Sequence, residues 1–247
     1  MAAVEICALC REEKKLQKSH ILPELLYDRL YDGLHSFQVL STNPKANRPR
    51  RRQGIYERLL CSFCDQHRLG RLDNYAANLL KGGIEIEVTD LTDRLIVGNL
   101  NYKTLKLWQM SLLWRCGVSS RAEFRATRLG PHAEKLRRFL VNEDPGQPHE
   151  YGCTIVLPSS HAVMEQVIMP PEPVTIQGQR CYRAWFGALW WVFVVSSHSA
   201  SFPFQEGFLQ ESGVFSIFKE STNTSTFILK LGKDLGAFGE VERKTLG

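Results

Sequence analysis

The spacing of apolar residues predicts helices in the middle of the chain. In residues 105–116 apolar side chains recur at helical spacing and Gly117 follows as a stop signal, so a helix is expected there. A second helix is predicted over residues 131–143, because proline is favoured in a first turn and an Asp-Pro-Gly turn follows. Between the two, Ser120 and Glu123 have the spacing of a capping box for a further helix.

After residue 150 the pattern becomes that of β-strands. Segments of β-branched and aromatic residues alternate with Gly, Pro, Ser and Asn. They are TIVLP, VTIQG, CYRAWFGALWWVFVVSS, GVFSIFKE and STFILKLG. The long aromatic run can turn at Gly187-Ala188 to form a hairpin, and one long buried strand is the alternative. A short strand is also predicted at residues 84–89, where the apolar residues alternate.

These patterns divide the chain into three parts and predict an α+β fold. Residues 1–80 carry four cysteines and several short elements, residues 81–147 are mostly helical, and residues 148–247 form a β-rich domain. The natural boundary between the last two parts lies near residues 145–150, at the Asp-Pro-Gly turn.

Composition excludes several classes of protein. A chain of 247 residues with 43% hydrophobic and 23% charged residues is typical of a globular protein and not of a disordered chain or a coiled coil. The start of the chain has no secretory signal pattern, and the longest apolar run, residues 184–195, is too short to span a membrane. We therefore expect a cytoplasmic protein with reduced cysteines and no membrane partner.

Positive charge is concentrated near the start of the chain. Residues 1–75 hold 13 Lys and Arg against 9 Asp and Glu, and this excess of four positive charges accounts for most of the chain's net charge of +5. A polyanionic partner for this part is one explanation, and an ordinary solvated basic surface is the other.

Two Cys-x2-Cys pairs predict a zinc site. Cys7 and Cys10 form the first pair, Cys61 and Cys64 the second, and 50 residues separate them. In a reduced compartment two such pairs are typical of one tetrahedral structural zinc. Four unrelated buried cysteines or a redox-active pair are the alternatives, and no βαβ pattern supports the second. The other three cysteines are isolated and are expected in the core: Cys116, Cys153 and Cys181.

The sequence Ser19-His20-Ile21-Leu22-Pro23 follows the first cysteine pair, and the second pair opens a predicted helix over residues 59–80. This arrangement resembles the HNH endonuclease family of ββα-metal nucleases, in its zinc-stapled treble-clef form with endonuclease VII-like spacing. The resemblance covers about residues 5–80. It implies a treble-clef zinc module in which the histidine lies on a β-hairpin and faces the helix.

The resemblance also implies roles for individual residues. His20 matches the general base, while Ser19 and Asp65 match the ligands of a catalytic Mg²⁺ or Mn²⁺. Ser19 departs from the family, where Asp or His is usual, and a neutral hydroxyl is a poor ligand for such a cation. Asp73 is a further candidate ligand eight residues beyond Asp65 and close to the same helix face, whereas His67 points elsewhere.

The arginines between the cysteine pairs complete the set of candidate residues. Such a cluster can neutralise phosphates without reading sequence, and a solvated basic loop is the alternative. It consists of Arg48, Arg50, Arg51 and Arg52.

Two functions are consistent with these residues. The first is a metal-dependent HNH-like endonuclease that cleaves nucleic acid, most simply DNA, with a C-terminal domain for a target or protein partner. The family resemblance implies bacterial anti-phage defence or toxin action as its setting. The second is a non-catalytic zinc module that binds nucleic acid or a protein.

Overall fold

The fold combines helices and sheets in separate parts of the chain. It is described from a computed structural model, which covers residues 4–38, 50–158, 167–195, 202 and 204–220. Three α-helices and thirteen strands lie within these residues. The predicted α+β class is confirmed.

The N-terminal part is built from three short antiparallel pairs of strands. β1 (Glu5–Ile6) pairs with β2 (Glu13–Lys14), β3 (Leu16–His20) with β6 (Tyr56–Cys61), and β4 (Phe37–Gln38) with β5 (Arg50–Arg51). The chain leaves β6 through a π-helical segment, Phe63–Leu69, that continues directly into α1 (Gly70–Leu80). The helix predicted over residues 59–80 is therefore present from Phe63 onward, but residues 59–61 are the end of strand β6, which pairs with the strand that ends at His20.

A seven-stranded sheet forms most of the rest of the protein. Its strands are β7 (Glu87–Asp90), β8 (Arg94–Gly98), β9 (Cys153–Leu157), β10 (Met169–Ile176), β11 (Gln179–Phe186), β12 (Leu189–Val194) and β13 (Phe215–Lys219). Their order in the sheet is β10-β11-β12-β9-β13-β8-β7, and every neighbouring pair is antiparallel except β13 and β9. Since β7 and β8 precede residue 147, the sheet draws strands from both sides of the predicted boundary.

The aromatic run forms a hairpin. β11 and β12 pair antiparallel around the turn, with Phe186 opposite Leu189. Both turn residues have positive φ, 58° for Gly187 and 67° for Ala188, as the tightest hairpin turns require. The alternative of one long strand is therefore wrong, and the predicted segment STFILKLG lies outside the described residues.

Helix α2 (Tyr102–Val118) is enclosed on nearly every side. The Asn101 side chain caps its start by accepting a hydrogen bond from the backbone N–H of Thr104, at 2.9 Å. Every residue from 105 to 116 is buried, and Trp108 meets Trp191 of the sheet edge to face, with ring centroids 5.7 Å apart. α2 is therefore a central helix rather than an amphipathic surface helix.

The second predicted helix is confirmed as α3 (Pro131–Asn142), with proline in its first turn. The helix expected from the capping box is not formed. Only one turn of 3-10 helix, Ala122–Phe124, occurs there, because Glu123 pairs with Arg51 of β5, at 2.5 Å, instead of capping. A distant ionic partner overrides the local signal.

Candidate active site and metal centre

The four cysteines of the two Cys-x2-Cys pairs lie together. Their sulfur atoms are all within 4.8 Å of one another. Zinc–sulfur bonds of about 2.3 Å place the ligands of a tetrahedral site about 3.8 Å apart, so these four thiols can hold one metal ion. Within the described part of the chain, no other group of three or more His, Cys, Asp or Glu side chains is this close.

Local structure brings the two pairs together. Cys61 ends β6 and Cys64 lies in the π-helical segment, so the second pair bridges a strand and a helix. The backbone N–H of Cys61 donates a hydrogen bond to the Cys7 sulfur, at 3.3 Å. The pKa of Cys7 is lowered to about 4, mainly because the Cys64 thiol donates a hydrogen bond to its sulfur. An anionic sulfur in this position suits a cation, since metal ligands bind as thiolates.

The remaining three cysteines are buried away from this cluster, in the core. They are Cys116 in α2, Cys153 in β9 and Cys181 in β11. Burial raises the pKa of each thiol, so each remains neutral.

A cleft of about 510 Å³ opens to solvent between the end of β3 and the start of α1. His20, Glu24 and Asp65 line it, together with Asp73 and Arg115. The resemblance to HNH nucleases implied that His20 and Asp65 belong to one site, and both residues line this cleft.

The His20 side chain is held by a carboxylate that the sequence analysis missed. His20 Nε2 lies 2.9 Å from Oε2 of Glu24, and the other oxygen of Glu24 accepts a hydrogen bond from the Tyr31 hydroxyl. Glu24 opens a short 3-10 turn directly after Pro23, which sets it four residues beyond His20. The signal in the sequence was a glutamate directly after the Ile-x-Pro segment.

Asp65 is half-buried on the helix side of the cleft. Burial raises the pKa of its carboxyl group, and Ser19, Arg115 and His20 oppose that rise. Ser19 is fully buried, and its hydroxyl lies beside the carboxylate without a hydrogen bond of ordinary geometry. The two residues matched to metal ligands are therefore neighbours.

Asp73 is engaged elsewhere. Arg115 of α2 donates two hydrogen bonds to its carboxylate, at 2.8 and 2.9 Å, and Trp108 Nε1 donates a third at 3.0 Å. The Arg115 side chain is only 3% exposed. Asp73 thus neutralises a buried guanidinium, which disfavours it as a metal ligand. His67 is exposed and does not line the cleft.

Two arginines of the predicted phosphate-binding cluster are already paired. Arg50 contacts the Asp32 carboxylate and the Ser36 hydroxyl, and Arg51 contacts Glu123. Arg52 is exposed. Arg48 lies outside the described residues. Arg50 and Arg51 therefore bind carboxylates of this chain and are not free to bind phosphates. The sequence alone could not predict these ion pairs.

Comparison of the chain with protein-family models, with curated protein sequences and with solved structures gives no match. Among the described residues, no helix has both the length and the apolar character needed to cross a membrane. The likeness to HNH nucleases therefore rests on the residues of the N-terminal segment.

Proposed function

We propose that the protein is a metal-dependent, HNH-like endonuclease that hydrolyses phosphodiester bonds in nucleic acid. One observation carries the proposal. His20, fixed by Glu24, and Asp65, from a different element, line the same solvent-open cleft. A base and an oxygen ligand on opposite sides of a cleft are what phosphodiester hydrolysis by water requires.

His20 acts as the general base. When its Nε2–H donates to the Glu24 carboxylate, the imidazole is held in the tautomer whose Nδ1 carries a free lone pair. That nitrogen takes the proton from the attacking water. The Tyr31 hydroxyl donates to the second oxygen of Glu24, so the carboxylate itself is fixed. Glu24 is a positioning residue in this scheme.

Asp65 and Ser19 are the residues that would hold a catalytic Mg²⁺ or Mn²⁺. The half-buried Asp65 carboxylate is the kind of oxygen ligand that such cations prefer, and the buried Ser19 hydroxyl beside it would be a weaker ligand, with water and phosphate oxygens completing the coordination. The cation would stabilise negative charge on the phosphate and on the leaving oxygen. It would also offset the cost of burying the Asp65 charge.

The four-cysteine cluster has a structural role in this proposal. Zinc bound by Cys7, Cys10, Cys61 and Cys64 would fix the end of β6 against the first turn of the helix that carries Asp65. The distance between Asp65 and the strand ending at His20 would then depend on the metal.

A non-catalytic zinc module that binds nucleic acid or a protein is the second candidate. Two observations favour it. Ser19 is neutral where a charged or imidazole ligand is usual. Asp73 is paired with Arg115, so among the described residues Asp65 is the one carboxylate on the helix side of the cleft that is left to bind a metal ion.

Incubation of the full chain with supercoiled plasmid and with single-stranded DNA, with Mg²⁺ or Mn²⁺, tests the proposal. We expect cleavage, and a loss of about 10²- to 10⁴-fold in kcat for His20→Ala, the range for a general base. Glu24→Gln should lower kcat by about 10- to 100-fold, as expected for an orienting partner.

Asp28→Asn is the matched control for Glu24→Gln. Asp28 lines the same cleft but contacts Lys81, at 4.0 Å, and not His20. Its loss should leave kcat within a few-fold of the wild-type value. If wild-type protein of full zinc content cleaves neither DNA, nor single-stranded RNA in the same assay, the nuclease proposal is overturned in favour of the second candidate.

A further inference from the structure

Two positive charges face each other across the strands that carry His20. Lys18 of β3 is the direct cross-strand partner of Arg58 of β6. Both side chains are exposed, and within the described residues neither has a carboxylate within 4.0 Å. Lys18 Nζ donates instead to the amide oxygen of Gln53, at 3.1 Å. Like charges directly opposite each other destabilise a pair of strands, so this pairing has an unfavourable cost.

The direct cross-strand placement of two unpaired charges distinguishes this face, although the exposed Lys15 and Arg52 also lack a carboxylate within 4.0 Å among the described residues. Several other basic residues near the N-terminal part contact carboxylates: Arg50, Arg51, Arg71, Arg115 and Arg137. β6 also contains a carboxylate, Glu57. Because consecutive residues of a strand point to opposite faces, Glu57 lies on the face opposite Arg58. There it accepts hydrogen bonds from Ser119 and Ser120 at the end of α2.

The same face leads to His20. Successive residues on one face of a strand lie about 6.8 Å apart, and Lys18 and His20 are such a pair. Tyr56, the cross-strand partner of His20, lies between them. Lys18 Nζ is 4.4 Å from the centroid of the Tyr56 ring, and the His20 ring centroid is 4.0 Å from it. A continuous strip of Arg58, Lys18, Tyr56 and His20 results.

We propose that Lys18 and Arg58, here called the basic strip, bind the phosphates of a nucleic acid that flank the bond held at His20. The proposal rests on the proposed function for the role of His20. Two cations without counter-ions beside the general base His20 can each neutralise a phosphate of a polynucleotide backbone. An isolated phosphodiester has no neighbouring phosphates for them to bind. The substrate is therefore an internal bond of a polynucleotide, and its backbone is held without reading bases.

Binding is measured first, in a His20→Ala background so that the probe stays intact. The probe is a fluorescein-labelled 30-base-pair DNA duplex, and its anisotropy gives Kd as a function of salt. Neutralising both residues, Lys18→Gln with Arg58→Gln, should reduce the slope of log Kd against log salt by about 1.8, or about 0.9 for each lost phosphate contact.

A matched control removes the same charge elsewhere. Lys103 and Lys135 are exposed on α2 and α3, and neither contacts a carboxylate within the described residues. Lys103 lies about 22 Å along α2 from the end that contacts Glu57. Lys103→Gln with Lys135→Gln should leave the slope unchanged. Because the basic strip variant loses a like-charge contact, its melting temperature should not fall, which separates lost binding from misfolding.

Catalysis is then compared on two substrates. Bis(p-nitrophenyl) phosphate has no flanking phosphates, so its hydrolysis should be the same in the basic strip variant and the wild type, while KM for the duplex rises. An unchanged salt slope and affinity in the basic strip variant would overturn the inference and leave an acidic protein as the partner of this face. A wild type that binds DNA through the strip but hydrolyses neither substrate would overturn the proposed function alone.

Discussion

Two carboxylates on one helical stretch have different environments. Asp65 and Asp73 are eight residues apart and both line the cleft, as their spacing predicted. Asp65 lies beside the Ser19 hydroxyl and interacts with the Arg115 guanidinium only at longer range, and burial raises the pKa of its carboxyl group. Asp73 accepts three hydrogen bonds from α2. The sequence could predict their shared face but not this difference, because Arg115 is 42 residues away from Asp73 in the chain.

We predict that Asp73→Asn lowers the free energy of unfolding by about 3–5 kcal/mol, because it leaves the buried Arg115 guanidinium without its counter-ion. Urea denaturation followed by circular dichroism measures the change. Replacing both partners, Asp73→Asn with Arg115→Met, should recover part of the loss, since an apolar side chain needs no counter-ion. Unchanged stability in Asp73→Asn together with lost cleavage would instead assign Asp73 to metal binding.

At the level of elements, local signals predicted some boundaries well. Proline at residue 131 begins α3, and Gly187-Ala188 turns the aromatic hairpin. Other features depend on partners far along the chain. β3 pairs with β6 across more than 30 residues, and α2 buries its polar residues because it is surrounded by the sheet and two helices. Such contacts leave no local pattern to read.

Lys106 in α2 provides a pH-dependent prediction. Burial lowers the pKa of its ammonium group to about 7, while the group donates hydrogen bonds to the carbonyls of Gln147 and Pro148, at 2.7 and 2.8 Å. The unfolded chain keeps its ordinary value near 10.5. Between pH 7 and about 10 the unfolded state therefore binds more protons than the folded state, and stability rises with pH.

We expect the wild type to gain stability relative to Lys106→Met as pH rises from 7 to 10, by at most about 1.4 kcal/mol for each pH unit. Thermal melts of both proteins over this range measure the difference. Lys103→Met is the control, because Lys103 is exposed on the same helix and should give no such trend. Parallel curves for the wild type and Lys106→Met would contradict the prediction.

The four-cysteine cluster joins a strand to a helix, and its zinc content can be measured directly. Cys10→Ser should reduce bound zinc from one ion to well below one for each chain and should destabilise β3 and β6, because structural zinc contributes directly to folding. Elemental analysis measures the metal. Cys181→Ala is the control, since Cys181 is buried in the sheet away from the cluster and its loss should leave zinc at one ion. Wild-type protein purified without zinc would contradict the assignment.

At the scale of the whole molecule, the three parts predicted from the sequence are connected by many specific contacts. Arg137 of α3 donates to the carbonyl of Leu9 beside the first cysteine pair, at 2.6 Å. Ser119 at the end of α2 donates to Glu57 of β6, also at 2.6 Å. One hydrophobic core runs from Cys7 to Phe215, and β8 pairs with β13 across the predicted boundary. The cleft therefore depends on Arg115 from the middle of the chain as well as on the zinc module.

These connections predict that the chain unfolds as one cooperative unit. Differential scanning calorimetry should give a single transition whose calorimetric and van't Hoff enthalpies agree. Zinc release, followed with a chromogenic chelator in a parallel melt, should share its midpoint, because the cysteine cluster is held by contacts from α3 and β6. Arg137→Ala should lower both midpoints together. Zinc release well below the main transition would contradict this prediction and show that residues 1–80 unfold as a separate domain.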